Sequence, residues 1–521
     1  MSDMGLKPQP AHDAIANTSL MATVDAYRVT ATRKLNPARR SAMGQFLTPA
    51  PIANFMASLF ENRKATIRLL DPGAGIGSLS AAFVMEMCHR TRRPQRIELT
   101  AYELDSILIE HLDDTLTKCR VECQKAGIEF EARIVQEDFV AAGAHMLAGD
   151  LLSFGATQLF DCVILNPPYR KIQTGSDERK LLRKAGIETT NLYAGFLGIA
   201  IKLLAPNGEV VAITPRSFCN GPYFRPFRKL LLDTVRVRRV HIFESRDTAF
   251  SDDEVLQENI IVHADTKAKA HDLVNVSISD GPRDFGRAMR TIQYEQLVHP
   301  DDPQLFMHIV PNGDGDDVRK TMQRMTSSLE TLGITVSTGR VVDFRATALL
   351  RAEPEPETAP LIYPGHFDDG YITWPKLSGK KPNALALGNG SDDLLIPAGY
   401  YVLVKRFSAK EETRRVVAAV YDPKRIDAVR VAFENHLNYF HRNGGGLPAS
   451  VAKGLAAYLN SSVVDAYFRQ FSGHTQVNAT DLRSLRYPDE SRLISLGKRI
   501  GSCFPEQGEL DRLIDEVILN A

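Results

Sequence analysis

The sequence is poor in the features that would assign it at a glance. Its 521 residues include six cysteines and one tryptophan. Only Cys119 and Cys123 stand close together, so neither a zinc site nor a disulfide framework is spelled out, and a reducing compartment fits. Lysine plus arginine (63) equals aspartate plus glutamate (63), which leaves no net charge to signal a polyanionic partner; any basic surface has to be local. No apolar run can span a bilayer, since the longest, 192–204, is short and interrupted by Lys202. There is no Gly-Lys-Ser/Thr to hold a nucleoside triphosphate, and no apolar signal core at the amino terminus. The expectation is a cytoplasmic protein without membrane segments or a metal centre.

Hydrophobic residues make up 44% of the chain, enough for well-filled cores, and the length predicts two domains, possibly three. Residues 1–30 lack a clear period and read as a partly ordered arm. A stretch rich in Asp, Pro and Gly at 299–317 marks a composition break, which puts a boundary near 320 and delimits domains of 31–320 and 321–521. The second has short segments with many turn signals and aromatics, followed by helices from Pro448 onward, and reads as a mixed α+β domain.

The first domain alternates strand-like and helix-like segments. Thr48-Pro49, followed by Ile52, Phe55, Met56 and Leu59, predicts a helix with proline near its first turn. A strand over 67–70 runs into Asp71-Pro-Gly-Ala-Gly-Ile-Gly77 and then a helix over 78–88. Such a glycine turn lets backbone approach a ligand closely, and Gly73 and Gly75 are its candidate contacts. The next two strands, 97–102 and 132–135, end near Glu103 and near Asp138-Phe139. Glu103 is placed to accept both hydroxyls of a ribose; Asp138 and Phe139 are placed to accept an adenine amine and pack on the purine. Asp71, Glu103 and Asp138 at three successive strand ends are hard to read as stray loop charges. Further strands at 161–165, 210–213, 259–263 and 273–278 complete a doubly wound, mostly parallel, seven-stranded α/β sheet of Rossmann-like form. The segment running to Arg239 reads as a strongly basic helix.

The fourth strand delivers Asn166-Pro-Pro-Tyr169. Two prolines stop the strand and leave a rigid polar platform followed by an aromatic ring. The Asn166 side-chain oxygen and the Pro167 carbonyl can accept both protons of a flat exocyclic amine, with Tyr169 covering the ring that carries it. The bland alternative is a proline-stopped strand end.

The tetrapeptide resembles the motif of amino-group methyltransferases that use S-adenosylmethionine. The order of Gly44-Gln-Phe-Leu-Thr-Pro49, the glycine turn, Glu103, Asp138-Phe139 and Asn166 to Tyr169, with Pro215-Arg-Ser-Phe-Cys-Asn-Gly221 and Gly473-His-Thr-Gln-Val-Asn-Ala479 beyond, resembles the γ class of DNA adenine-N6 methyltransferases of restriction-modification systems. That resemblance implies S-adenosylmethionine contacts at Thr48, Asp71, Gly73, Gly75, Glu103, Asp138 and Phe139. It implies a target adenine held by Asn166, Pro167 and Tyr169, with Phe250 a weak counterpart on the opposite face. It also implies double-stranded DNA as substrate, residues 321–521 as the target-recognition domain, a monomer, and a cognate endonuclease on a separate chain. Candidate phosphate contacts are Arg170 and Lys171, at the head of a basic stretch suited to a mobile loop, and Lys405, Arg406, Lys410, Arg414 and Arg415. Two other readings stay open: methylation of RNA or of a protein glutamine, and a DNA specificity protein without catalysis.

Overall fold

The computed structural model describes residues 20–35, 44–148, 159–243, 258–266, 272–279, 281, 284–285, 288–300, 302–309, 315–376, 379, 381–408, 413–471 and 476–519. Phe250, Lys410, most of the arm and the start of the 473–479 motif lie outside these residues. The chain divides into two compact units, 1–218 with 223–297, and 219–222 with 298–521.

The first unit is built on a nine-stranded mixed sheet. Its strands are β1 Thr66–Pro72, β2 Arg96–Tyr102, β3 Glu129–Val135, β4 Phe160–Leu165, β5 Leu204–Pro215, β6 Arg236–Phe243, β7 Asn259–Asp265, β8 Leu273–Ser279 and β9 Ala288–Gln293, in the order β3-β2-β1-β4-β5-β7-β6-β8-β9. The pairs from β3 to β5 are all parallel, whereas β7 is antiparallel to both β5 and β6. β8 lies parallel to β6 and antiparallel to β9.

The expected seven strands therefore become nine, and the sheet is mixed on one side. The basic helix ends at Thr234, and Arg236–Phe243 is strand β6. A register shift between Val237 and Arg239 explains the misreading, because the bulge sets arginines side by side and breaks the alternation that marks a strand. Arg238 is absorbed by Asp265 at 2.7 Å, and Arg236 lies 3.2 Å from the centroid of the Tyr294 ring. The ninth strand, β9, is largely exposed at the sheet edge and offered little hydrophobic pattern.

Helices α1 Leu20–Lys34, α2 Ala50–Ser58, α3 Ser78–His89 and α4 Ser106–Ala126 share one apolar core with β1 and β2, and buried Leu20, Met21, Val24 and Ala31 bring α1 into it. The arm thus becomes a packed helix from Leu20. α5 Phe139–Ala148, α6 Asp177–Lys184, α7 Leu192–Lys202 and α8 Arg225–Thr234 complete the set needed here. Among the described residues no helix is long and apolar enough to cross a membrane.

The second unit contains a six-stranded sheet and a five-stranded sheet of short strands, together with helices such as Ala449–Leu459 and Glu490–Arg499. Among its described residues, apolar side chains form three buried clusters, one of which includes Val402, Val404, Phe440, Leu455 and Leu493.

Candidate active site

The strand order of the first unit reverses between β1 and β4, and loops from neighbouring parallel strands part there to leave a crevice. The glycine turn follows β1 on one side and Asn166 follows β4 on the other. A cavity of about 140 Å³ opens at this point, lined among others by Phe46, Gly73, Glu103, Asp138, Asn166 and Phe196.

The turn is shaped by backbone. Gly73 and Gly75 have φ of 79° and 60°, and a Cβ on Gly75 would stand 2.9 Å from Leu47. The amides of Gly73 and Ala74 both donate to the Tyr102 carbonyl, at 2.9 and 2.8 Å, tying the turn to the end of β2. Asp71 sits beneath it, fully buried, accepting from Ser80 Oγ at 2.6 Å. Burial pushes its carboxyl up to about 7, partly offset by the Ser80 hydrogen bonds. Asp71 is absent from the cavity lining, so it supports the turn and does not reach into the space above it.

Glu103 lines the cavity, and its carboxylate is already partly used. One oxygen accepts from Gly75 N at 2.8 Å, and the other from Leu104 N and Asp105 N, each at 2.8 Å. A carboxylate has about four acceptor positions. One therefore remains on the oxygen that faces Gly75, which narrows the expected grip on two hydroxyls to one. Burial raises its pKa against the pull of those three amides. Asp138 is half-buried and accepts from Ala141 N at 2.9 Å at the start of α5. Phe139 is buried, edge-on to Tyr102 with ring centroids 5.2 Å apart, and 5.1 Å from Phe196.

Asn166 is held by its amide nitrogen, which donates to the Phe46 carbonyl at 2.8 Å and to Thr48 Oγ1 at 3.1 Å. Its Oδ1 is buried and has no hydrogen-bond partner. Leaving a buried acceptor unpaired costs roughly 1–3 kcal/mol, which an arriving N–H donor would recover. Tyr169 stands beside it, 5.7 Å from the Phe46 ring and edge-on to Tyr193 at 6.2 Å, with its hydroxyl donating to the Ile213 carbonyl at 3.3 Å. Burial raises the Tyr169 pKa, so the phenol stays neutral. Its amide donates to Gly44 O at 2.9 Å, and Gly44 is obligatory there: at φ 64° its Cβ would lie 2.6 Å from Tyr169 N. Buried Pro167 completes the platform; like Tyr169 it lies behind the residues that line the cavity, among them Asn166 and Pro168.

Thr48 is buried and outside the cavity lining, and its described contact is with Asn166. Sequence reasoning missed Gln45, Leu104, Leu192 and Phe196 on the cavity wall. Leu192 and Phe196, four apart on α7, carry only the spacing of a core helix.

The basic candidates fare unevenly. Arg170 lines the cavity and pairs with Glu178; Lys171 is exposed. The stretch after them is ordered as α6, with Arg179 and Arg183 both bound to Glu188, whose carboxyl they hold down at about 2. In the second unit, Lys405 is half-buried with its ammonium 5.3 Å from the Phe367 ring centroid. Arg406 donates to Asn435 O and Arg414 to Asn460 O. Arg415 must be withdrawn as a phosphate contact: it is 1% exposed, donates to Ser408 Oγ at 3.1 Å, and belongs to the interior. No group of three or more potential metal ligands occurs among the described residues.

The family model for the Eco57I restriction-modification methylase matches residues 6–250. The type II methyltransferase M.PstI of Providencia stuartii is 41% identical over 498 residues, 96% of this chain and 97% of that protein. The type II methyltransferase M.BsuBI of Bacillus subtilis is 44% identical over 509 residues, 96% of this chain and 99% of that protein. Among solved structures, a chain of the DrdV–DNA complex matches 93% of this chain and 60% of its own length at 14% identity and a TM-score of 0.51, a likeness of fold. With identity of this level sustained from end to end, the chain belongs to the family of type II restriction-modification methyltransferases.

Proposed function

We propose that this protein transfers a methyl group from S-adenosylmethionine to the N6 amino group of an adenine swung out of double-stranded DNA, as the modification enzyme of a restriction-modification system. The observation that carries the reading is the buried, unpartnered Oδ1 of Asn166, held at the cavity by an amide with both donors engaged. It is an acceptor waiting for an N–H.

The residues present fit the cofactor. The Gly73–Gly75 turn leaves room for close approach, Glu103 has one acceptor position for a ribose hydroxyl, and Asp138 and Phe139 on the cavity wall offer an acceptor and a ring to an adenine. When bound, S-adenosylmethionine supplies an electrophilic methyl group. The rest falls to this chain. Asn166 Oδ1 and the Pro167 carbonyl would accept hydrogen bonds from the two amine N–H groups, which favours a free nitrogen lone pair and strengthens as positive charge develops; the one proton that the methylated nitrogen gives up passes to solvent. The Tyr169 ring, fixed through Ile213 O and Phe46, covers the base and returns part of the cost of unstacking, roughly a few kcal/mol.

Residues 31–320 are proposed as the catalytic part and 321–521 as the part that selects the DNA site. Arg170, Lys171, Lys405, Arg406 and Arg414 remain the proposed phosphate contacts. The reading also takes the enzyme as a cytoplasmic monomer whose endonuclease is a separate protein; cleavage of unmodified DNA by the purified chain would sink that last point. The deciding experiment offers labelled S-adenosylmethionine with unmethylated genomic DNA, ribosomal RNA and protein extract in parallel. N6-methyladenine in DNA is the expected product. Label confined to RNA or protein would reassign the substrate.

A further inference from the structure

In the second unit three stretches lie side by side: 341–345, 434–436 and 405–407. Val341 O accepts from Asn435 N at 2.8 Å, His436 O accepts from Arg406 N at 2.8 Å, and Asn435 O accepts from the Arg406 guanidinium at 2.6 Å. The carboxylates among them are used internally. Asp343 accepts from the Tyr363 hydroxyl at 2.8 Å and from Lys381 Nζ at 2.7 Å, and Glu434, 1% exposed, pairs with the amide and the ring of His436. What faces outward is rings and cations. Phe344 is 78% exposed and Phe407 44%, Arg345 is exposed, and the His436 ring lies 5.0 Å from that of Phe407. We infer that Phe344 is a stacking wedge for the DNA duplex, pressing its ring onto a base-pair step while Arg345 meets a flanking phosphate. This rests on the function proposed above and names a contact through which residues 321–521 engage DNA.

The turn that carries Phe344 is anchored on both sides. Val341 and Ala346 are buried in one apolar cluster, the amides of Arg345 and Ala346 donate to Val342 O at 2.9 and 3.0 Å, and Asp343 between them is held by Tyr363 and Lys381. The ring is therefore kept in water by its own backbone, and little of the loop remains to be ordered when a partner arrives. The Arg345 guanidinium carbon lies 5.5 Å from the Phe344 ring centroid, and no carboxylate pairs with Arg345 among the described residues. A flat apolar ring beside an unpaired guanidinium complements two features that a duplex repeats, the face of a base pair and the phosphate next to it. Apolar side chains presented in this way unstack a base step and bend the duplex around the protein. A second copy of this chain fits less well, because two such ridges meeting face to face would bring like charges together at Arg345 and Arg406.

The test follows, by fluorescence anisotropy, binding of the full-length protein with S-adenosylhomocysteine present to a duplex carrying the site at which labelled DNA is methylated. Phe344→Ala is expected to raise the duplex Kd by about 10–100-fold, while the cofactor Kd stays within about twofold and the melting temperature stays near wild type, since the ring is mostly in water. Phe344→Trp keeps a stacking face and should stay within about threefold of wild type. Arg345→Ala should flatten the slope of log Kd against log salt by about one, whereas Phe344→Ala leaves that slope in place. 2-Aminopurine walked through the site should brighten with wild type at one step besides the methylated position, and stay dark at that step with Phe344→Ala. A duplex Kd for Phe344→Ala within about twofold of wild type would overturn the inference, and so would equal losses in Phe344→Ala and Phe344→Trp. Self-association of wild type that Phe344→Ala abolishes, with DNA binding intact, would assign the ridge to a second copy instead. A wild-type protein that neither binds nor methylates DNA defeats the proposed function as well; one that methylates DNA while Phe344→Ala binds equally tightly defeats this inference alone.

Discussion

The two sides of the nine-stranded sheet share a core, yet they differ in what their strand ends carry. From β3 to β5 every pair is parallel, so the loops after β1, β2, β3 and β4 leave from one edge and bring Gly73, Glu103, Asp138 and Asn166 around one cavity. Beyond β5 three of the four pairs are antiparallel and only β6–β8 is parallel, so β7 and β9 end at the opposite edge, and no described residue from this side lines that cavity. Several polar groups of this side are used internally. His241 is fully buried with its ring nitrogens 2.9 and 3.0 Å from the hydroxyls of Ser277 and Ser279, and Arg216, on β5's outgoing turn, is paired with buried Glu258 at 2.8 Å. Parallel pairing gathers function at one edge; mixed pairing provides support.

The contrast can be tested by substitution on each side. The largest effect should come from Asn166→Ala, which is expected to lower kcat by on the order of 10²–10³ or more while cofactor affinity, followed by calorimetry, stays near wild type. A parallel loss of cofactor binding and of the folding transition would show instead that Asn166 belongs to the scaffold. Next, Gly44→Ala forces a Cβ against the Tyr169 backbone at positive φ and should cost about 1–3 kcal/mol, read in denaturant melts, with activity falling further than stability alone accounts for. On the mixed side, His241→Gln should lower the melting temperature yet leave the cofactor Kd unchanged; a change in Kd would erase the distinction between the two sides.

The smallest effects concern pH, and they have opposite signs. Asp71 has a folded pKa raised to about 7 from 3.8, so between these values the folded protein holds a proton that the unfolded chain has lost. Its contribution to stability therefore falls as pH rises through that window, and Asp71→Asn, a mimic of the protonated acid, should melt with a flatter pH dependence there. His241 is lowered to about 4 from 6.5, chiefly by burial, so in its window the unfolded chain takes up the proton and stability falls as pH drops. His241→Gln should remove part of the acid sensitivity between about pH 6.5 and 4. Paired melts of each variant against wild type across pH 4–8 check both slopes.

Much of the site was legible because it consists of strand ends. A branched apolar run followed by a turn residue fixes where the chain leaves the sheet, and Gly73, Glu103, Asp138 and Asn166 were all found in that way. The mixed side was less legible: the bulge in β6 hid a strand inside a basic segment, and the exposed edge strand β9 showed no apolar pattern. Charge in the second unit misled for a different reason. Arg415 sits among other basic residues in the sequence, but its backbone amide donates to Asp465 and its side chain to Ser408, and the fold takes it inside.

Local chemistry is written in the order of residues: which strands end in acids, where glycine permits a close turn, and that two prolines make a rigid platform of Asn166. These depend on neighbours within a few residues, and short-range sterics and hydrogen bonding are written in composition and spacing. How the Asn166 amide is aimed depends on the folded chain, because Phe46 and Thr48 stand 120 and 118 residues before it and meet it once the sheet is assembled. The fold also decides that Asp71 works beneath the turn, that Glu103 has a single acceptor position to spare, and that Arg415 is interior. Burial and hydrogen-bond partnership are properties of what packs around a side chain, and that is set by strand order across the whole sheet.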